Sequence, residues 1–141
     1  MLIESRPATD PEVAALVTAQ QRELGETGAP RDDVRYLAVV IAGRAVACGG
    51  LRELAEGVGE LSGMYVRPAY RGRGIGRQLL AALEELAFRR GHSVLCVEAG
   101  TNLPVAISLY RSGGYAPVPA YREHVGGPNR VCLGKRLPVA A

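Results

Sequence analysis

The feature that most constrains this chain is a glycine-rich turn that connects an apolar strand pattern to an amphipathic helix pattern. The turn spans residues 71–76 and reads RGRGIG. Glycines at every second position let the backbone come close to a ligand, and the following helix points its free N–H groups and its positive dipole end the same way. The turn therefore predicts a binding site for a phosphorylated anion such as a pyrophosphate.

The residues on both sides of the turn place it between a strand and a helix. Residues 60–66 have strand composition, and Pro68 cannot continue a central strand because it lacks the amide donor. After the turn, apolar residues recur at three- and four-residue spacing, and Gly91 then ends the helix. We predict a strand over 60–66 and a helix over 74–90. The apolar face of that helix consists of Ile75, Leu79, Leu83, Leu86 and Ala87.

Two other phosphate loops also place glycines before a helix, and neither fits this chain. The dinucleotide fingerprint G-x-G-x-x-G, begun at Gly72, requires glycine where Arg77 stands. No segment reads G-x-x-x-x-G-K followed by Ser or Thr. A nucleic-acid surface is the competing interpretation of the arginines, but they form no long run, and Phe88 is the only phenylalanine for a stacking platform.

The turn resembles the coenzyme A signature, Q/R-x-x-G-x-G/A, of the GNAT superfamily of N-acetyltransferases. A second marker of that family, an A-x-x-L-Y segment followed by glycine and an aromatic residue, resembles residues 106–115, AISLYRSGGY. The two markers lie in the expected order of strand, loop, helix, strand, helix and strand, over roughly residues 59–121. The resemblance implies a single N-acetyltransferase domain over residues 1–141, with acetyl-CoA as its co-substrate.

The resemblance also implies a fold class, the α/β (α+β) GNAT fold. It has one mixed, mostly antiparallel, twisted sheet of six to seven strands and about three to four helices. Its two central parallel strands splay apart, and the pantetheine arm of acetyl-CoA enters the gap. Here the strand, helix and strand over 60–98 form a right-handed crossover unit. The patterns further predict a strand over 2–6, a helix over 11–24, a hairpin turn at 42–44, a strand over 93–98, a helix over 104–112, and strands over 115–118 and 130–137.

The resemblance implies which residues hold the coenzyme. Backbone groups of Met64, Tyr65 and Val66 are expected to bond the pantetheine amides. The backbone amides of residues 71–77 are expected to bind the phosphates, with Arg71 and Arg77 adding charge. The complete set is Met64, Tyr65, Val66, Arg71, Gly72, Arg73, Gly74, Ile75, Gly76, Arg77, Asn102, Ala106 and Tyr110. Asn102 stands one position before the place where many relatives carry Asn or Gln.

Acetyl transfer from a thioester to an amine requires a neutral nucleophile, a polarised carbonyl and a proton for the departing thiolate. Tyr110, in the second marker, is the candidate acid, because a phenol with an ordinary pKa near 10 is protonated at neutral pH. Glu60, which opens the central strand, resembles the glutamate that many GNAT members use as the base. Glu98, at the end of the next parallel strand, is the alternative base. A core aromatic and solvated carboxylates are the competing structural interpretations.

Residues 25–35 and 117–129 are expected to flank the acceptor, by the family arrangement. The acidic residues in or next to these segments are Glu23, Glu26, Asp32, Asp33 and Glu123, and they favour a cationic amine. His124 is a further candidate for contact with the acceptor, whereas His92, after the glycine that ends the helix, is expected to be exposed. A non-catalytic coenzyme A binding or sensing module is the alternative function, because Ser62-Gly63 replaces a basic pair common in similar members.

Composition bounds the remaining possibilities. The chain has 141 residues, 48% of them hydrophobic, and a net charge of +3, which suits one domain with a substantial core. Its three cysteines, Cys48, Cys96 and Cys132, lie in apolar contexts without a C-x-x-C pair, so we expect buried thiols and no metal. No apolar run is long enough to span a bilayer. We predict a cytoplasmic monomer or homodimer without nucleic-acid or membrane partners.

Overall fold

The structure, a computed structural model, describes residues 1–100, 104–119 and 130–138. The strands are β1 (Leu2–Arg6), β2 (Arg35–Ile41), β3 (Arg44–Ala55), β4 (Val58–Val66), β5 (Val94–Gly100), β6 (Ala116–Pro117) and β7 (Arg130–Arg136). The helices are α1 (Pro11–Glu23), α2 (Ile75–Arg89) and α3 (Pro104–Ser112), and one turn of 3-10 helix covers Pro68–Tyr70.

The described strands form one sheet in the order β1-β2-β3-β4-β5-β7-β6. Only β4 and β5 are parallel, and α2 connects them; the other neighbouring pairs in this described sheet are antiparallel. The parallel pairing runs from Val58 opposite Val94 to Leu61 opposite Val97 and then stops. The mixed sheet and the splayed central pair confirm the predicted fold class.

Local sequence explains where the helices begin and end. Asp10 caps α1, since its carboxylate accepts hydrogen bonds from the backbone N–H groups of Glu12 and Val13, at 2.7 and 3.3 Å. At the C-terminal end of α2, Gly91 has φ +84°, and the backbone N–H of His92 donates a hydrogen bond to the carbonyl of Ala87 at 3.0 Å. These caps confirm the predicted start of α1 and the predicted stop of α2.

The sheet is covered on both faces, and each face buries its own cluster of apolar side chains. Leu79 and Leu83 of α2 pack with Leu95 on one face, and this cluster extends to α3. Val13 and Leu16 of α1 pack on the other face. Burial of such side chains supplies most of the driving force for folding. The two helices thereby fix the sheet that positions the site.

Several details differ from the sequence predictions, among them β6, which covers only Ala116–Pro117 instead of 115–118. β4 begins two residues earlier, and β5 continues to Gly100 rather than ending at Glu98. The expectation that His92 is exposed is wrong, because its exposed fraction is 6%. The turn at Gly91 packs His92 against the sheet, where a Cβ added to Gly59 would lie 3.4 Å from the Cγ of His92. None of the described helices is long and apolar enough to cross a membrane.

The fully buried Leu83 allows a direct test of the α2 packing. Replacing Leu83 by Ala leaves a cavity against the sheet, so we expect the free energy of unfolding to fall by about 2–5 kcal/mol. Glu85→Ala, at an exposed position of the same helix, is the control and should change it by less than about 0.5 kcal/mol. Urea denaturation followed by circular dichroism measures both. Equal effects of the two substitutions would contradict this packing.

Candidate active site

A cleft of about 580 Å³ opens where β4 and β5 diverge. Its wall consists of the C-terminal part of α1, the second half of β4, Tyr70, the glycine turn with the start of α2, the end of β5, α3 and Arg130 of β7. Of the predicted site residues, the cleft contacts Met64, Tyr65, Val66, Arg71, Gly72, Gly74, Ile75, Gly76, Arg77, Glu98, Ala106 and Tyr110. A second cavity, of about 660 Å³, lies between the β1–α1 turn and the end of α2 and contains none of these residues.

An extra residue in β4 shapes the floor of the cleft. Cys48 of β3 pairs with Tyr65, whereas Gly50 pairs with Ser62, so three steps along β4 match two along β3. This is a β-bulge, and Gly63 within it has φ +59°, a conformation that favours glycine. The bulge follows directly after Leu61, the last residue of β4 that pairs with β5, and a bulge bends the strand that carries it.

Backbone groups of β4 face this gap. The N–H of Arg67 bonds the carbonyl of Val46, so the odd-numbered residues at this end of β4 direct their backbone groups to β3. Alternation along the strand then directs the groups of Met64 and Val66 towards the gap. Side chains contact both carbonyls: the Gln20 amide donates to Met64 O at 3.4 Å and the Arg71 Nε to Val66 O at 2.8 Å.

The glycine turn has the open backbone that an anion site requires. Gly72 and Gly74 both have φ +78°, and a Cβ placed on either would meet no atom of the described chain within 4 Å. Gly74 is also the residue that caps α2, and it has no side chain to bond the first turn. The first N–H groups of α2, from Ile75 to Arg77, therefore point out of the helix without an intrahelical acceptor.

The three arginines of the turn differ in their contacts. The guanidinium of Arg71 forms two hydrogen bonds with the Glu23 carboxylate, at 2.8 and 3.0 Å, and its backbone N–H bonds the carbonyl of Pro68. Arg73 reaches the carbonyl of Ala69 at 3.3 Å. Arg77 lies exposed on the cleft wall. The Glu23 carboxylate raises the pKa of Arg71, so the Arg71 side chain stays charged.

Tyr110, in α3, lines the cleft and is 5% exposed. Burial raises the pKa of its hydroxyl, which therefore stays protonated well beyond neutral pH. The ring of Tyr115 contacts the Tyr110 ring edge to face, with centroids 5.7 Å apart. Tyr115 donates a hydrogen bond to Glu84 at 2.8 Å, and Lys135 contacts the same carboxylate at 3.1 Å. These contacts fix the ring against which Tyr110 packs.

The two candidate bases lie on the same face of the sheet. Glu60 stands opposite Cys96, and Glu98 follows two residues along β5. Glu60 is only 5% exposed, and Arg52 donates to its carboxylate at 3.0 Å. Arg52 also reaches Asp33, at 3.4 Å. Among the described residues that line the cleft, Glu98 is present and Glu60 is not.

Glu98 is part of a second ion-pair cluster, at the end of the cleft formed by β5 and β7. The Nε of Arg130 lies 3.2 Å from Glu98 Oε1, and Arg130 also forms an ion pair with Glu26. Arg130 stands opposite Gly100, which is two residues beyond Glu98, so both side chains share a face. The cluster of Glu26, Glu98 and Arg130 has a net charge of −1 and favours a cationic group nearby.

The sequence analysis missed Arg52, Arg130, Gln20 and the Tyr115–Glu84 contact. A signal exists for Arg52 alone, because it stands directly opposite Glu60 in the register set by the β3–β4 turn. Asn102, Glu123 and His124 lie outside the described residues. All three cysteines are buried, and burial raises the pKa of Cys48 to about 12, so this thiol is not a nucleophile at neutral pH. Nowhere in the described part of the chain do three or more potential metal ligands gather.

Comparison with known proteins agrees with this geometry. The sequence profile of the Acetyltransferase (GNAT) family matches residues 3–115. An IAA acetyltransferase from Azospirillum brasilense is 39% identical over 110 residues, 77% of this chain and 71% of that protein. A Klebsiella pneumoniae structure assigned to the acyl-CoA N-acyltransferases has a TM-score of 0.85 and 35% identity, covering 96% of this chain and 97% of the other. A GNAT family acetyltransferase from Elizabethkingia anophelis, with acetyl-CoA bound, shares the fold with a TM-score of 0.74 and 17% identity, covering 96% and 97%.

Proposed function

The chain belongs to the Acetyltransferase (GNAT) family, and from that premise we propose that it transfers an acetyl group from acetyl-CoA to a primary amine, directly within a ternary complex. One observation carries this proposal. A single cleft brings together the open glycine turn, the end of β4 that no longer pairs with β5, and the side chain of Tyr110 with its hydroxyl. These are the groups needed to hold an anion, an extended arm and a leaving thiolate.

The residues at the cleft fit the coenzyme. A pyrophosphate fits the open space at Gly72 and Gly74 and the start of α2, which has no side-chain cap. There it can accept hydrogen bonds from backbone N–H groups at the helix N-terminus. The backbone of Met64 and Val66 faces a gap that an extended arm can enter as an additional strand. Acetyl-CoA, when bound, supplies the thioester whose acetyl group the amine nitrogen takes as the C–S bond breaks.

Tyr110 stabilises the departing thiolate in this proposal. Its raised pKa keeps the hydroxyl protonated, so it can donate a hydrogen bond to sulfur. Complete proton transfer from the phenol is uphill, because the ordinary pKa of a thiol, near 8.5, lies below that of any tyrosine, near 10. We therefore assign Tyr110 the role of a hydrogen-bond donor that lowers the barrier for thiolate departure.

Glu98 accepts the proton that the acceptor amine loses. It lines the cleft at the end of β5, and its side chain is 19% exposed, so the proton can pass on to solvent. Glu60 is the alternative base, acting through water, and its burial beside Arg52 suits an electrostatic role. The negative Glu26–Glu98–Arg130 cluster supports an acceptor that carries positive charge.

A non-catalytic module that binds or senses coenzyme A is the second candidate. Each candidate base contacts an arginine, Glu60 through Arg52 and Glu98 through Arg130, and these contacts favour a module without catalysis. An arginine that stays on the carboxylate opposes proton uptake. Such a module would bind acetyl-CoA as the enzyme does and would release no thiol with any amine.

The glycine turn provides a test of coenzyme binding with a matched control. Gly74→Ala and Gly91→Ala each introduce a Cβ at positive φ, at opposite ends of α2, at a cost of roughly 1–2 kcal/mol. We expect similar losses of stability, but only Gly74→Ala should weaken acetyl-CoA binding, by about tenfold or more, because its methyl group enters the anion site. Isothermal titration calorimetry measures the binding. Equal affinities of the two variants would contradict the assignment of the turn.

Tyr110→Phe removes the proposed donor without removing the ring. We expect kcat to fall on the order of 10²-fold with little change in the Kd of acetyl-CoA, because the hydroxyl acts only on the departing thiolate. Thiol release with the best amine of a screened panel measures kcat. Tyr36→Phe, which removes a buried hydroxyl that bonds Arg31 outside the cleft, is the control. Unchanged turnover of Tyr110→Phe would remove this residue from the mechanism.

The acidic cluster predicts which amines react. Polyamines and other cationic amines should have a higher kcat/KM than amines that are neutral at the assay pH. Glu98→Gln should lower kcat/KM for cationic amines on the order of 10²-fold, because it removes both charge and base. A larger loss in Glu60→Gln would assign the base to Glu60, and a panel without any preference for cations would contradict the acceptor class.

A further inference from the structure

Arg71 connects the glycine turn to the helix on the acceptor side of the cleft. Its guanidinium bonds the Glu23 carboxylate twice, its Nε bonds Val66 O, and it lies over the Tyr65 ring at 5.5 Å. Arg71 and, to a smaller extent, the Tyr65 hydroxyl lower the pKa of the Glu23 carboxyl. These contacts hold the Arg71 side chain against the end of α1 and the end of β4, although its backbone belongs to the turn in which the phosphates would lie.

The ion pair is of a kind that a phosphate can displace. The side chains of Arg71 and Glu23 are 45% and 48% exposed, and ion pairs between such groups contribute little net stability. A pyrophosphate presents more negative charge than one carboxylate and offers the same two-point geometry to a guanidinium. Arg71 precedes Gly72 directly and lines the same cleft as Gly72 and Gly74. Its long side chain can therefore turn to the phosphates without movement of the backbone.

We propose that Glu23 is an internal competitor of the coenzyme for Arg71. Without coenzyme, the carboxylate holds the guanidinium on the acceptor side of the cleft. Binding of the pyrophosphate transfers Arg71 to the phosphates and leaves the Glu23 carboxylate exposed on the cleft wall. Glu23 thus sets the coenzyme affinity of the free protein, and coenzyme binding adds a negative charge where the acceptor enters. This proposal rests on the proposed function, since it requires that acetyl-CoA binds at the turn.

The competition predicts an unusual direction of effect. Glu23→Gln should bind acetyl-CoA about two- to fivefold more tightly than the unmodified chain, because Arg71 no longer leaves a charged partner. Arg71→Met should bind it more weakly. In the Arg71→Met background, Glu23→Gln should add nothing, because there is no guanidinium left to compete for. The two substitutions are therefore non-additive in a double-mutant cycle.

A control separates competition from simple charge repulsion. Removing any carboxylate near the cleft favours an anionic ligand, and this general effect is independent of Arg71. Glu26→Gln measures it, because Glu26 follows α1 by three residues and forms its ion pair with Arg130 instead. The gain in Glu23→Gln should exceed that in Glu26→Gln, and the gain in Glu26→Gln should persist in the Arg71→Met background.

Calorimetric titration of the unmodified chain, the three single variants and the two double variants with acetyl-CoA, at one ionic strength, tests the proposal. A gain in Glu23→Gln that vanishes with Arg71→Met supports the proposal. Unchanged or weaker binding by Glu23→Gln, or an equal gain in both backgrounds, overturns it while leaving the proposed function intact. Absence of acetyl-CoA binding by the unmodified chain would overturn both, and is distinguishable because it concerns the reference protein and not the variants.

Discussion

The loss of pairing between β4 and β5 is the constraint on which the rest of the site depends. Beyond Leu61 and Val97 the two strands no longer share hydrogen bonds. The backbone groups of Met64 and Val66 therefore need other partners, since unpaired backbone groups are costly once water is excluded. The bulge at Gly63 sustains the divergence, and α1 and α2 hold the sheet from its two faces. The cleft is the space that this divergence creates, and in the proposed function an extended ligand arm completes the strand pairing.

Charges around the cleft are arranged as pairs that a ligand can exchange. Arginines hold the carboxylates at three points, with Arg52 on Glu60, Arg130 on Glu98 and Arg71 on Glu23. The exposed Arg71–Glu23 pair contributes little net stability. In the buried Arg52–Glu60 pair, each charge compensates the desolvation of the other. A bound phosphate can take an arginine from such a pair, and a bound ammonium can take a carboxylate. In the proposed function, exchange of these partners couples coenzyme binding to acceptor binding.

Local sequence signals predicted most of the architecture, and long-range side-chain pairing escaped them. The helix over 104–112 and the hairpin at Ala42-Gly43 follow from composition and turn residues, and the structure confirms both. By contrast, the Glu23–Arg71 pair joins residues 48 positions apart, and the Glu26–Arg130 pair joins residues 104 apart. Such contacts depend on strand register and helix placement, which sequence periodicity does not specify. The burial of His92 was missed for the same reason, because it depends on the space beneath Gly59.

The measurement that tests the account most directly is a crystal structure of the chain with acetyl-CoA. The account predicts the pyrophosphate at the N–H groups of residues 72–77 and the pantetheine arm between β4 and β5, bonded to the backbone of Met64 and Val66, with the thioester sulfur within hydrogen-bond distance of Tyr110. Coenzyme in the cavity between the β1–α1 turn and the end of α2, or an arm that leaves the gap between β4 and β5 empty, would contradict it.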